Sequence, residues 1–301
     1  MSSVTNTGTL KKYLSKDKTL RASVLKMTEL LEDVRIMQGT SPTSTVAVGR
    51  LLAGALLLAS QLKDEQAMTV QVSGRGDIKK IFAHAQYDGL CRAYISERLA
   101  PMSVKNNQFS LAPLVGGGVL SVSLLVPGVK VPRQSQLEIV SGEIGEDLAH
   151  YLSQSSQIPC LLSLAVKIGH EGMVTAAGGV LVELMPGHTE ELVASIERKQ
   201  KTALPLSDLI EEKYDFAKLL ENSIGPIEVK EIEERQVQWH CSCTKEKAGV
   251  SIQMLGGEDM RDMIQKNEWV NVDCEMCGRV YSFSPNEITI LYKDSGSAQI
   301  H

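Results

Sequence analysis

Four of the six cysteines lie close together near the end of the 301-residue chain, as Cys241-Ser242-Cys243 and, after thirty residues, Cys274-Glu275-Met276-Cys277. Two close pairs on separate stretches suit a tetrahedral Zn²⁺, which takes four soft ligands from two short knuckles. Gly278 follows the second pair directly and permits the tight backbone turn that a metal knuckle requires. The bland alternative for the same residues is a set of ordinary reduced thiols. Zinc binds thiolate, so oxidation of a close pair to a disulfide breaks such a site. Cys274 and Cys277 have a common redox spacing. A ring closed between Cys241 and Cys243 would be strained, and strained disulfides are the labile, regulatory kind.

The remaining candidates carry less chemistry. Cys91 and Cys160 sit among apolar neighbours and read as small, inert core residues. The six histidines form no ligand pair at helical spacing, and His240, although next to Cys241, reads as a surface or supporting residue beside four thiolates. The chain has no nucleophile elbow, phosphate loop or His-Glu-x-x-His motif. Gly74-Arg75-Gly76 and Gly116-Gly117-Gly118 are too short for nucleotide loops and read as turns.

Three stretches must position these groups. Trp239 to about Leu291 is a unit of just over fifty residues. A unit that small has a thin core, and a metal commonly decides whether it folds. Before it, residues 189–238 hold twelve acidic and seven basic residues, which accounts for the whole net charge of −5. The pattern predicts two helices there, Glu190–Lys201 and Ser207–Glu221, each with a thin apolar stripe. The segment is either a solvated hinge or a marginally stable element that docks on a neighbour and can be released.

Residues 1–188 read as one domain. The spacing predicts an amphipathic helix over Lys18–Arg35, capped by Asp17 and stopped at Gly39, and a second helix over Thr45–Gln61 that is apolar nearly all round. Strands are expected at Met68–Val72, Leu90–Ile95, Val119–Leu124, Gln136–Val140, Leu161–Ile168 and Val180–Met185, with a helix over Glu143–Ser155. Helices and strands do not alternate regularly, so the fold class is α+β: a mixed N-terminal domain, a helical linker and a small C-terminal zinc-binding module.

Composition narrows the function classes. With 31 basic against 36 acidic residues and 4% aromatics, a basic nucleic-acid face and a base-stacking platform are both unexpected. The longest apolar run, Leu51–Ala59, is too short to cross a bilayer, and the polar N-terminus lacks the features of a secretory signal, so a cytoplasmic location is expected.

Together these residues resemble the heat-shock protein 33 family over nearly the whole chain. The resemblance rests on Gly49-Arg50 opening the apolar helix, Ser73-Gly74-Arg75-Gly76, Ser141-Gly142-Glu143-Ile144 before Glu146-Asp147, Ala177-Gly178-Gly179 leading to Pro186-Gly187, and above all the paired cysteines after an acidic segment. One departure is Thr244-Lys245-Glu246-Lys247, where the family often has Ser-x-Glu-Arg and so a guanidinium fork. The resemblance implies a redox-regulated chaperone that holds unfolding client proteins without ATP and is no enzyme. It implies one zinc on Cys241, Cys243, Cys274 and Cys277 in an inactive reduced state. Under oxidants such as peroxide it implies Cys241–Cys243 and Cys274–Cys277 disulfides, zinc release, unfolding of the C-terminal module and linker, and a homodimer. Two rivals remain at this point: a thiol–disulfide oxidoreductase using Cys274 and Cys277, and a zinc ribbon for nucleic acid.

Overall fold

The structure, a computed structural model, describes residues 4–105, 108–156 and 159–297. The chain divides into two compact units, one ending at His240 and one beginning at Cys241. In the first unit the strands are β1 (Thr7–Ser15), β2 (Leu20–Lys26), β3 (Ala67–Gly74), β4 (Lys80–Gln86), β5 (Leu90–Ile95), β6 (Val104–Lys105), β7 (Gln108–Phe109), β8 (Gly118–Leu125), β9 (Arg133–Glu138), β10 (Cys160–Ile168), β11 (Val174–Leu184) and β12 (Val229–Trp239). Its helices are α1 (Thr28–Gln38), α2 (Pro42–Ala59), α3 (Ala112–Val115), α4 (Gly145–Ser156), α5 (Glu190–Gln200), α6 (Leu206–Glu211) and α7 (Phe216–Ile224). The second unit holds α8 (Lys245–Gln253), α9 (Gly257–Lys266), the hairpin β13 (Val270–Asp273) and β14 (Val280–Phe283), and α10 (Pro285–Ser297).

Ten strands of the first unit form one sheet in the order β10-β11-β2-β1-β12-β5-β4-β3-β8-β9. Only β12 and β5 run parallel; every other neighbouring pair in this sheet is antiparallel. Helix α2 touches strands from both halves of the sheet, as well as α1 and α4, and sixteen of its eighteen residues are buried. A helix apolar all round has no face it can leave in water, so burial on every side is what its composition demands. The same helix is long and apolar enough to cross a membrane, yet 89% of it is buried inside the fold.

Strand β11 is covered on both faces, which explains its apolar run from Ala176 to Val182. Successive residues of a strand point to opposite sides. Gly178 accordingly lies against Ile210 of α6, and Gly179 against Leu57 of α2; a Cβ at either position would strike its neighbour. The two glycine-rich turns also dock on each other through backbone: Arg75 N–H donates to Gly117 O (2.8 Å) and Gly76 N–H to Val115 O (2.9 Å).

Several expectations need correction. The helix expected over Lys18–Arg35 is strand β2 followed by α1, and the stop at Gly39 holds, in left-handed conformation at φ 64°. Strand β2 lies inside the sheet and is covered on both sides, so it lacks clean alternation, and its apolar spacing happens to fit a helix as well. The helix expected over Ser207–Glu221 breaks into α6 and α7 at Lys213 (φ 62°), and the Asp215 side chain caps α7 by accepting from Lys218 N–H at 2.8 Å. Residues 229–239, expected in a helical linker and at the start of the metal module, are strand β12 between β1 and β5.

Candidate metal centre

Cys241 and Cys243 lie on an extended stretch that ends where Thr244 caps α8, its hydroxyl accepting from Lys247 N–H. Lys247 Nζ turns back to donate to Ser242 O at 2.6 Å, and Lys245 Nζ pairs with Glu287 at 2.6 Å. The residues that depart from the family's Ser-x-Glu-Arg thus still tie this stretch down, with ammonium groups in place of a guanidinium.

Cys274 and Cys277 sit on the turn of the β13–β14 hairpin. Gly278 N–H donates to Cys274 O (2.8 Å) and Cys274 N–H to Arg279 O (2.9 Å), closing a knuckle. Gly278 has φ 67°, the left-handed conformation that favours glycine.

The four sulfurs converge from these two stretches and lie within 4.8 Å of one another. Cys241 Sγ is 3.6 Å from Cys274 Sγ, and Cys243 Sγ is 3.5 Å from Cys277 Sγ. A tetrahedral ion with metal–sulfur bonds of about 2.3 Å holds its ligands about 3.8 Å apart, so the quartet fits a metal of that size. Each thiol is half-buried. The Tyr281 hydroxyl donates to Cys243 Sγ at 3.2 Å, and Tyr281 is held opposite Val272 in the hairpin.

The electrostatics show what a cation would do among these thiols. Burial, together with the nearby Cys274, pushes the Cys241 thiol far up. At Cys243 burial acts upward too, but hydrogen bonds led by that of Tyr281 outweigh it and bring the thiol down to about 7. A divalent cation at the centre of the quartet is what allows all four to ionise.

The apolar support is small. Ala248, Ile252, Met260, Phe283 and Ile288 form its buried cluster, with Tyr281, Leu291 and Tyr292 among the partly buried side chains against it.

The other sequence candidates stay apart from this quartet. Cys91 is buried in β5, with its thiol pushed up by burial to about 12. Cys160, expected in the core, is only half-buried; it begins edge strand β10 and lines a cavity of about 530 Å³ between α4, α5 and the β10–β11 pair. His240 is exposed, and its backbone N–H donates to Cys91 O at 2.8 Å. His301 lies outside the described residues. Tyr281 escaped the sequence reading, although its place in Val280-Tyr281-Ser282-Phe283, just beyond the second pair, was a usable signal.

The site and fold describe a class: a large α+β body followed by a small unit with a four-thiol cluster able to hold a metal ion. The family model for Hsp33 protein matches residues 8–284. The 33 kDa chaperonin of Thermodesulfovibrio yellowstonii is 37% identical over 268 residues, covering 89% of this chain and 92% of that protein. That of Bacillus subtilis is 33% identical over 282 residues, covering 93% and 96%. The crystal structure of the 33 kDa chaperonin (heat shock protein 33 homologue) of Thermotoga maritima superposes with a TM-score of 0.86 at 30% identity, over 96% of this chain and 99% of that one. The chain belongs to the Hsp33 family. The members of this family are chaperones, not enzymes, which removes the oxidoreductase reading.

Proposed function

We propose that the protein is a cytoplasmic, redox-regulated holdase whose reduced, zinc-bound form is inactive. Bound to Cys241, Cys243, Cys274 and Cys277, zinc supplies the charge that keeps four thiolates together and the cross-link that ties the hairpin to the stretch before α8. Oxidation joins Cys241 to Cys243 and Cys274 to Cys277. Each new S–S bond gives two electrons to one peroxide, whose oxygens leave as two waters after taking up two protons. Disulfide sulfurs are no longer thiolate ligands, so the cross-link is lost.

The observation that carries this reading is the convergence of four sulfurs in a unit whose apolar cluster has five buried members among the described residues. Structural zinc contributes on the order of 10–16 kcal/mol to such units, as much as the net stability of a whole domain. The unit from Cys241 therefore unfolds when its ligands are oxidised. Residues 189–238 follow, and residues 1–188 remain as the folded core.

Release of that segment has a physical consequence. Helices α5–α7 cover an apolar cluster that includes Tyr13, Val24, Val180 and Val182 of the sheet. Their departure uncovers apolar area that unfolding proteins can occupy, and that a second copy shares in an active homodimer. Neither nucleic acid nor membrane has a part in this function.

The test is an aggregation assay with a heat-denatured client, before and after peroxide, with released zinc followed by a chromogenic chelator. Suppression that appears only together with metal release supports the proposal. Equal suppression by the reduced, metal-loaded protein overturns it.

A further inference from the structure

Beneath α5–α7, strands β1, β2, β10 and β11 present one face whose make-up follows from register. Tyr13 stands opposite Ala22, which stands opposite Val182; Lys11 stands opposite Val24, which stands opposite Val180. Lys26 pairs across to Gly178, which pairs with Ala165, two residues before Lys167. By the two-residue period of a strand, Lys11, Lys26 and Lys167 therefore share the face of Tyr13, Val24 and Ala165. These four strands place no carboxylate on it.

The counter-charges come from residues 189–238: from the covering helices for Lys167 and Lys26, and from β12, the strand beside β1, for Lys11. Lys167 Nζ lies 2.8 Å from Asp208 and 2.7 Å from Glu211 of α6. Lys11 Nζ lies 3.1 Å from Glu231 and 2.8 Å from Glu234 of β12. Lys26 Nζ donates to Tyr214 O, faces Asp215 and sits 4.6 Å from the centre of the Phe216 ring, while Lys11 Nζ is 5.4 Å from that centre. Glu29 at the start of α1, outside the segment, also faces Lys26.

We propose that this face, once uncovered, is a docking surface for polypeptide stretches that combine apolar residues with carboxylates, so that the active chaperone selects acidic amphipathic client segments over basic ones. The inference rests on the release of residues 189–238 proposed above and adds the chemistry of the partner. The present occupant shows what fits: Leu209, Ile210, Leu219 and Leu220 fill the apolar part, and Asp208, Glu211 and Asp215 meet the lysines. When the segment leaves, its carboxylates leave too, and like-charged or neutral replacements cannot repair the pairing. While docked, the tethered segment competes at high effective concentration, so the surface opens only on release.

The probe is a labelled peptide copying residues 204–224, compared with one carrying Asn and Gln for its five acids and one carrying Lys for them. Binding by fluorescence anisotropy is measured on the full chain, reduced and metal-loaded or oxidised and metal-free, with hydrogen exchange across 189–238 recorded on both. The expected result is binding of the acidic peptide to the oxidised chain about tenfold tighter than of the Lys version, with the neutral one between. The preference shrinks between about 50 mM and about 500 mM salt. It also shrinks in Lys26→Gln and Lys167→Gln, which keep the apolar part. Equal binding of the three peptides by an oxidised chain whose segment exchanges freely overturns this inference alone. A segment still protected after oxidation overturns the release mechanism, and this surface with it.

Discussion

In the larger unit a helix of eighteen residues has sixteen of them buried against strands from both halves of a ten-stranded sheet. In the smaller unit the buried apolar cluster among the described residues is five side chains, and the two stretches that carry the cysteines meet at their sulfurs. The first arrangement draws on apolar area spread over dozens of side chains and changes gradually when one is altered. On the proposed reading, the second would concentrate its stability in four bonds to one metal ion, which a reagent that takes electrons can remove together. A chain that joins the two kinds can lose one part and keep the other.

The largest expected effect starts in the smaller unit and, on the proposed reading, reaches residues 189–238 but not α2. Chelation of the reduced protein, or Cys277→Ser, removes on the order of 10 kcal/mol from the unit beginning at Cys241. Amide exchange in α8 and α10 then rises to that of an unfolded chain, while α2 keeps its protection. Loss of protection in α2 under the same treatment would show that the units are not separable in this way. The converse is Leu57→Ala. Leu57 is fully buried and packs on Gly179, so its truncation costs about 2–5 kcal/mol in the denaturant unfolding of the larger unit and leaves metal affinity unchanged.

A finer effect concerns Tyr281, whose hydroxyl donates to Cys243 Sγ. Outer hydrogen bonds to metal ligands typically carry tenfold to hundredfold in affinity, so Tyr281→Phe is expected to weaken metal binding by about that factor. The ring and its place against the small core are retained. A shift of the sulfur-to-cobalt charge-transfer band in the Co²⁺-loaded variant separates a bond to sulfur from a packing effect. An unchanged band with unchanged affinity would remove Tyr281 from the site.

How much of this was legible follows the range of the interactions. The cysteine knuckles and α2 declare themselves locally, by spacing and by continuous apolarity. Strand β12 does not. Its run Val229-Lys230-Glu231-Ile232-Glu233-Glu234-Arg235 reads as a charged linker because its partners are Lys11 and Lys12 of β1, more than two hundred residues earlier. Charge pairing at that distance leaves no periodic mark in either segment. Strand β1, Thr7–Ser15, is not among the expected strands for the same reason. The face under α5–α7 was equally hidden, since it exists only once four strands are in register.

The smallest effect is one of pH, and it falls on the larger unit. His84 is buried in β4, with Nδ1 3.1 Å from Thr69 Oγ1 and Arg92 opposite it on β5. Burial, then the charge of Arg92, lowers its pKa from 6.5 to about 4. Because the folded value lies below the unfolded one, the neutral ring's contribution is fully present above about pH 6.5 and is lost as the unfolded chain takes up a proton that the folded chain refuses. Stability thus falls from about pH 6.5 to about pH 4 and then levels, by about 1–2 kcal/mol at about pH 5. His84→Gln removes the titration while leaving a hydrogen-bonding side chain beside Thr69. Urea midpoints of the two proteins should therefore diverge as the pH falls through this window, with the variant's the flatter. A parallel decline in both would mean that other groups carry the acid sensitivity of the sheet.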